Sequence, residues 1–282
     1  MIHLNQIHAL ALVMGKYNVR SDQMDHELDI EQYLEEQYDI MDVSLLAGKI
    51  MLESGAETYR VEDTMMRIAA SYGIKESHSY VTPTGIMFSI ETDEPTKTKL
   101  MRISNRTTDL KKVMLVNSTS RRIAKGELDV PQAYRILKRI YASDETYSLK
   151  TRIAAASISS GCFLMMFQGG WVDFLPAVIA GGIGFASVGY FQELISIKFF
   201  AEFMASLIIG VLALLFVQLG FGLQPDKIII GSVMPLVPGL LITNAVRDLI
   251  AGHLISGLAK GAEAFLTAFA IGSGIAVVVT FL

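Results

Sequence analysis

From Arg152 onward the chain alternates long apolar stretches with short polar breaks, and before that point it does not. Stretches near the length needed to cross a hydrocarbon layer about 30 Å thick lie at residues 153–168, 172–191, 199–220, 228–246 and 262–282. The first is short, and together they predict about five transmembrane helices. The preceding half follows another pattern. Residues 41–73 carry apolar and charged positions at helical spacing and end near Gly73, which predicts one bent helix or two. Gly55 is a costly choice inside a helix unless a bend or a close contact uses its missing side chain. β-compatible runs from Ser79 and from Thr98 surround turn-forming proline and glycine, predicting a small sheet. Helical spacing returns over residues 110–125, and Asp129 with Pro131 marks a further helix start. The fold class expected is an α-helical integral membrane protein with about five transmembrane helices over residues 151–282, preceded by a cytoplasmic α+β domain over residues 1–150.

The distribution of charge strengthens that division. Of 24 Lys and Arg residues, 20 lie in residues 1–152, as do 22 of 28 Asp and Glu residues. The remaining four basic and six acidic residues are too few to dress five helices in water. Seventeen of 23 glycines lie after residue 152, as expected where small residues let membrane helices approach closely. The net charge of −4 divides into −2 and −2, so neither half has the basic balance of a nucleic-acid binder, and no nucleic-acid partner is expected. A single cysteine, Cys162, excludes an intrachain disulfide framework. The amino-terminal run MIHLNQIHALALVMGKYNV is broken and does not read as a cleaved leader. Basic residues beside the apolar stretches set the orientation. Lys138, Arg139, Lys150, Arg152, Lys198, Arg247 and Lys260 fall on one side and Lys227 on the other. The expected location is the cell membrane, with the amino-terminal domain cytoplasmic and the carboxyl terminus extracytoplasmic.

Chemistry concentrates in MPLVPGLLITNAVRDLIAGHLISG, which begins at Met234. Pro235, Pro238 and Gly239 fall where an uninterrupted span is expected, and proline removes an amide donor and clashes with the preceding turn. The result is a broken helix, either a structural kink or the border of a substrate path. Asn244 and Asp248 then share a helix face with Arg247 close by, which suits an interfacial cap or recognition of a small zwitterion's ammonium and carboxylate. Asp173, Glu202 and Glu263 are the other acids near the spans; Glu202 is spaced to pair with Lys198, and Glu263 stands at the path from the start of the fifth helix. In the first half, Glu53 and Glu57 share a face with Arg60 beyond, as a helix-surface pair or a pair of catalytic carboxylates. Thr82, Thr84, Arg102 and Asp109 read as polar turns or as a gating surface. No nucleophile, base and orienting group converge, so no catalytic residues are assigned. The five histidines are too dispersed for a zinc site, and no GxxxxGK[ST] loop is present, so no metal or cofactor is expected.

The segments GKIMLESGAETYRVEDTMMRIAASYGI, VTPTGI, RISNRTTDL, PGLLITNAVRDLIAG and SGLAKGAEA resemble the threonine/serine exporter family across nearly the whole chain. More closely, the chain is similar to the large component of that family's split, two-subunit arrangement. The resemblance implies a secondary transporter exporting small amino acids, with succinate or related dicarboxylates as the alternative. It implies as partners a separate small multi-helix membrane subunit, the lipid bilayer and a small-molecule substrate, and self-association is a further expectation. It carries family-motif positions onto Glu53, Gly55, Glu57, Arg60, Thr82, Pro83, Arg102 and Asp109, and path positions onto Pro238, Gly239, Asn244, Arg247, Asp248 and Glu263. Proton coupling would use Asp248 or Glu263. A membrane-bound hydrolase and a non-transporting sensor or scaffold are the competing classes.

Overall fold

The computed structural model describes residues 40–91, 96–143, 147–195 and 197–281. The apolar run at the amino terminus lies outside them. The chain divides between Ser143 and Asp144 into two compact units. This is slightly before residue 150, because the first helix of the second unit already begins at Leu149.

The first unit opens with α1 (residues 40–53) and α2 (Thr58–Ser71). They are two helices because Gly55 adopts φ +88°, a conformation that strains any residue with a Cβ. A three-stranded antiparallel sheet follows, β1 (Glu76–Thr82), β2 (Gly85–Glu91) and β3 (Lys97–Arg102), in that spatial order. Thr82 pairs with Gly85, so Pro83 and Thr84 form the tight turn between β1 and β2. Alternation along β2 buries Ile86, Phe88 and Ile90 on one face. These pack in one core with Met65 and Ile68 of α2, Val116 and Ile123 of α3 (Leu110–Ala124) and Leu137 of α4 (Val130–Ala142). Asp109 caps α3 by accepting from the Lys112 amide at 3.1 Å. Asp129 opens α4 with a reciprocal capping box to Gln132, fixing the helix start that the sequence marks.

The second unit is all helical: α5 (Leu149–Met166), α6 (Trp171–Leu194), α7 (Lys198–Gln218), α8 (Pro225–Val233) with a 3₁₀ turn at Met234–Leu236, α9 (Gly239–Ile250) and α10 (Leu254–Phe281). Among the described residues three helices, α6, α7 and α10, are long and apolar enough to cross a membrane, and α8 with α9 qualifies only as a pair, bent by 60° at the break. The short first stretch, α5, is not among them; Lys150 and Arg152 occupy its first turn, and Ser157, Ser159 and Ser160 interrupt its apolar part. Helix α10 starts at Leu254 rather than near residue 262, so Lys260 lies inside it.

Small residues set the helix register. A Cβ on Gly274 would come 2.5 Å from the Phe203 carbonyl oxygen, and one on Gly210 would come 3.0 Å from Val278. Both contacts advance in the same sense along α7 and α10, so these helices run parallel. The bent pair therefore leads from the far end of α7 to the near end of α10. Enclosed positions include Ala177, Ala180, Ala201 and Ala205 beside Leu164, Ile209, Ile228 and Ile271, whereas Leu175, Phe265 and Phe269 face outward.

Candidate functional site

The break between α8 and α9 follows from its sequence. Val237 takes an extended conformation after the 3₁₀ turn, and Pro238, which has no amide to give, becomes the N-cap of α9 without a side-chain cap. Ile242 donates back to the Pro238 carbonyl at 3.0 Å to start the new helix. Pro235 and Pro238 are half-buried and Gly239 is exposed.

One side of α9 is polar and enclosed. Asn244 is 5% exposed and Asp248 0%, four residues apart on the same face, as the spacing requires. Arg247 stands beside that face rather than on it, about 60° round the helix from Asn244, and is exposed. The cation that meets Asp248 is Lys260 of α10, whose Nζ lies 2.7 Å from Asp248 Oδ2. Their side chains are 5% and 0% exposed respectively.

The α9–α10 hairpin brings the pair together. Gly252 turns the chain with φ +87°, and the His253 amide donates to the Asp248 carbonyl at 2.8 Å. A Cβ on Gly257 would lie 3.0 Å from the Ala245 carbonyl oxygen, so a glycine there lets the two helices close. Lys260 is thus an internal ion-pair partner rather than a basic flank between spans. Counting basic residues beside apolar stretches misassigns it, because the compensating acid sits on a neighbouring helix. Glu263, one turn on, is half-buried and, like Asn244, Arg247 and Ser256, is engaged in polar interactions.

The other membrane-region acids have separate surroundings. Asp173 is buried and accepts from the Leu223 and Gln224 amides at 2.6 and 3.2 Å, tying the start of α6 to the segment before α8. Glu202 is buried on α7, one turn before the Ser206 that packs against Gly274. Its expected partner, Lys198, has a side chain outside the described residues.

In the first unit the motif residues act mainly as joints. Glu53 ends α1 and Glu57 precedes α2 across the turn at Gly55, so they do not share a helix face as a paired-carboxylate reading requires. Glu57 takes an ion pair from Arg60 at 3.3 Å, and Glu53 faces Lys49 at 3.9 Å. Burial pushes the Glu53 carboxyl above its ordinary range, while a hydrogen bond with Tyr141 raises the Lys49 ammonium. The Thr107 amide donates to the Glu53 carbonyl at 2.7 Å and the Asp109 amide to the Ser54 carbonyl at 3.1 Å. The segment leading into α3 is therefore fastened to the α1–α2 turn. Glu62 accepts from the Val81 amide at 2.8 Å, fixing β1 to α2. Thr82 donates to the Gly85 carbonyl beside Pro83, and Arg102 is exposed at the end of β3. Sequence spacing did not anticipate that Glu76, His78 and Glu91 bring one ligand atom each within 4.8 Å on the exposed face of β1 and β2.

Residues 42–282 match the family model described as "Putative threonine/serine exporter". The chain is 23% identical over 232 residues to a Mycobacterium tuberculosis protein named "Probable threonine/serine exporter", a match covering 81% of this chain and 44% of that one. It is 22% identical over 243 residues to the threonine/serine exporter of Corynebacterium glutamicum, covering 84% and 50%. An Escherichia coli protein named "Probable succinate transporter subunit YjjP" is 24% identical over 257 residues, covering 87% and 96%. The chain thus spans about half the length of the first two relatives and nearly all of the third. No solved structure matches it. A family model spanning almost all the described residues, joined to helices apolar enough to cross a bilayer, identifies a multi-pass membrane protein, and the chain belongs to the threonine/serine exporter family.

Proposed function

We propose that the chain is the large component of a secondary transporter that exports small amino acids such as threonine or serine, with its path beside the broken α8–α9 segment. The observation that carries this reading is the enclosed polar face of α9. A helix that begins at a proline break within an apolar unit carries Asn244 and Asp248 on its buried side. Buried polar groups at membrane depth are costly and mark transport routes more often than packing. Pro238, Gly239, Asn244, Asp248 and Glu263 border the path, and Arg247 contributes from its rim.

The parallel register of α7 and α10 favours a bent pair that crosses the bilayer rather than one that re-enters the same side. With α5 supported by its neighbours, five segments cross, which puts the first unit in the cytoplasm and the end of α10 outside. The motif residues of the first unit, Glu53, Gly55, Glu57, Arg60, Thr82, Pro83, Arg102 and Asp109, serve to hold that unit's α1–α2 turn and sheet in place. A separate small membrane subunit completes the permeation unit.

Export of succinate or a related dicarboxylate is the second reading. It is favoured by coverage, since the chain accounts for 96% of a relative named as a succinate transporter subunit but only about half of the threonine/serine exporters. Reconstitution of the chain with and without a small subunit, followed by flux of labelled threonine, serine and succinate under imposed pH gradients, decides between them. Threonine or serine flux that requires both components is expected; no flux of any of the three by the complete pair overturns the transport assignment.

A further inference from the structure

We propose that the outer face of the three-stranded sheet is a contact between two copies of this chain, packed face to face about a twofold axis that crosses the strands. It needs the chain to sit in a membrane but does not depend on any particular cargo. Alternation along β2 turns Ile86, Phe88 and Ile90 inward, so the opposite face of the sheet is expected to be polar. At its centre it is not. The register makes Tyr80 of β1, Met87 of β2 and Leu100 of β3 direct cross-strand partners, and they are 52%, 46% and 75% exposed. Apolar side chains scattered singly over a surface are ordinary. Three in one row across the whole sheet form a continuous patch, of the kind that marks a contact.

Charge then selects the occupant. At one end of the same face Glu76 and Glu91 are direct cross-strand partners, and at the other Arg102 stands opposite Gly85. All three charged residues are exposed. The face is acidic at one end, apolar in the middle and basic at the other, a pattern that complements itself when reversed. Two identical faces can meet about a twofold axis that runs either along the strands or across them. An axis along the strands sets the acidic end of one copy against the acidic end of the other, and like charges repel. An axis across the strands turns the second copy end for end, so that Arg102 of each comes beside the acidic end of the other. That axis follows the row of Tyr80, Met87 and Leu100, laying each against its own counterpart. Three strands of six or seven residues cover roughly 300 Å² per copy, below the about 800 Å² per partner of complexes that are stable in solution. A face of this size joins chains already confined to one bilayer, where their local concentration is high, rather than collecting them from solution.

The test crosslinks the full chain in membrane vesicles, in a Cys162→Ser background, with a bifunctional thiol reagent that bridges about the 10 Å between packed sheets. Met87→Cys lies on the axis and is expected to give at least about fivefold more homodimer than Met114→Cys, an exposed position on α3, the helix packed on the sheet's inner face. Glu91→Cys is expected not to crosslink to itself, yet to crosslink when co-expressed with a differently tagged Arg102→Cys chain. Leu100→Glu brings two charges together on the axis and is expected to lower the Met87→Cys dimer about tenfold. Arg102→Glu makes both ends acidic and is expected to lower it about threefold, and adding Glu76→Arg with Glu91→Arg, which restores the pattern in reverse, is expected to recover it. Equal crosslinking at Met87→Cys and Met114→Cys, self-crosslinking of Glu91→Cys, or no recovery on charge reversal would overturn the proposal. Crosslinking of Met87→Cys to a different membrane protein alone, such as the small subunit, would give the face to that partner and overturn it as well. Should the charge variants not accumulate, the pairing pattern of the cysteines decides alone.

Discussion

Phe88, Met65 and Ile68 are fully enclosed in the first unit, whereas the second encloses Ala177, Ala180, Ala201 and Ala205 beside Ile209 and Ile228, with Phe265 and Phe269 turned outward. Phenylalanine thus changes places between the two regions, while isoleucine is enclosed in both. In water, burying large apolar side chains is the main favourable term, so they collect inside. In lipid that term vanishes between helices, because acyl chains are as apolar as leucine, and close backbone approach across small residues replaces it. Polar groups follow the same logic. In the first unit they cap helices and fasten loops at the surface, as Asp109 and Asp129 do. In the second, charged groups are themselves enclosed and meet inside, as Asp248 and Lys260 do.

That contrast breaks most visibly at its extremes. Phe88→Ala empties the centre of the first unit's core and is expected to cost about 3–5 kcal/mol, read as a lowered unfolding midpoint of the first unit by hydrogen exchange in the intact chain. Lys260→Met removes the cation 2.7 Å from the buried Asp248 carboxylate, with an expected cost of about 3–5 kcal/mol; loss of folded protein in detergent and its recovery when Asp248→Asn is added check this. Gly274→Ala sets a methyl group against the Phe203 carbonyl, and a loss of about 1–3 kcal/mol is expected by analogy with overpacking. Gly272→Ala on the same helix meets nothing within 4 Å and should be silent in the same thermal assay.

A smaller effect sharpens the comparison from the aqueous side. Tyr72 donates to the Leu128 carbonyl at 3.1 Å, and burial pushes its hydroxyl up to about 12 from an ordinary value of 10.0. The folded state therefore keeps a proton that the unfolded chain gives up. This contribution is present in full below pH 10, declines as the pH rises through the interval up to about 12, and leaves the unit weaker above it. Tyr72→Phe should remove that decline while lowering stability near neutrality by about 1 kcal/mol for the lost hydrogen bond. Unfolding of the first unit between pH 8 and about pH 12 is the measurement. Outward-facing Phe265→Ala should change thermal stability by less than about 0.5 kcal/mol, since in lipid its ring exchanges one apolar neighbour for another.

Local features were the most legible from sequence. Gly55 inside a helical pattern marked the α1–α2 turn, Asp129 with Pro131 marked α4, and Pro235, Pro238 and Gly239 marked the broken segment, because each acts through its own backbone. Asn244 and Asp248 shared a face for the same reason, since four residues make about one turn. In the sequence Lys260 looks like a flank because its role depends on a neighbouring helix whose approach is set by Gly257, a contact that no periodicity records. The pairing of Glu53 with Glu57 failed in the converse way: helical spacing was carried across Gly55, where the helix stops.

The central claim, that the second unit is built around a bent pair that crosses from one side to the other, is tested most directly by accessibility. In a Cys162→Ser background, single cysteines replace Phe221 before α8 and Ile250 at the end of α9, both exposed positions. A membrane-impermeant thiol reagent is then applied to right-side-out and inverted vesicles. Labelling of Phe221→Cys from outside and Ile250→Cys only in inverted vesicles is the expected result; labelling of both from the same side would make the pair a re-entrant loop and contradict the account.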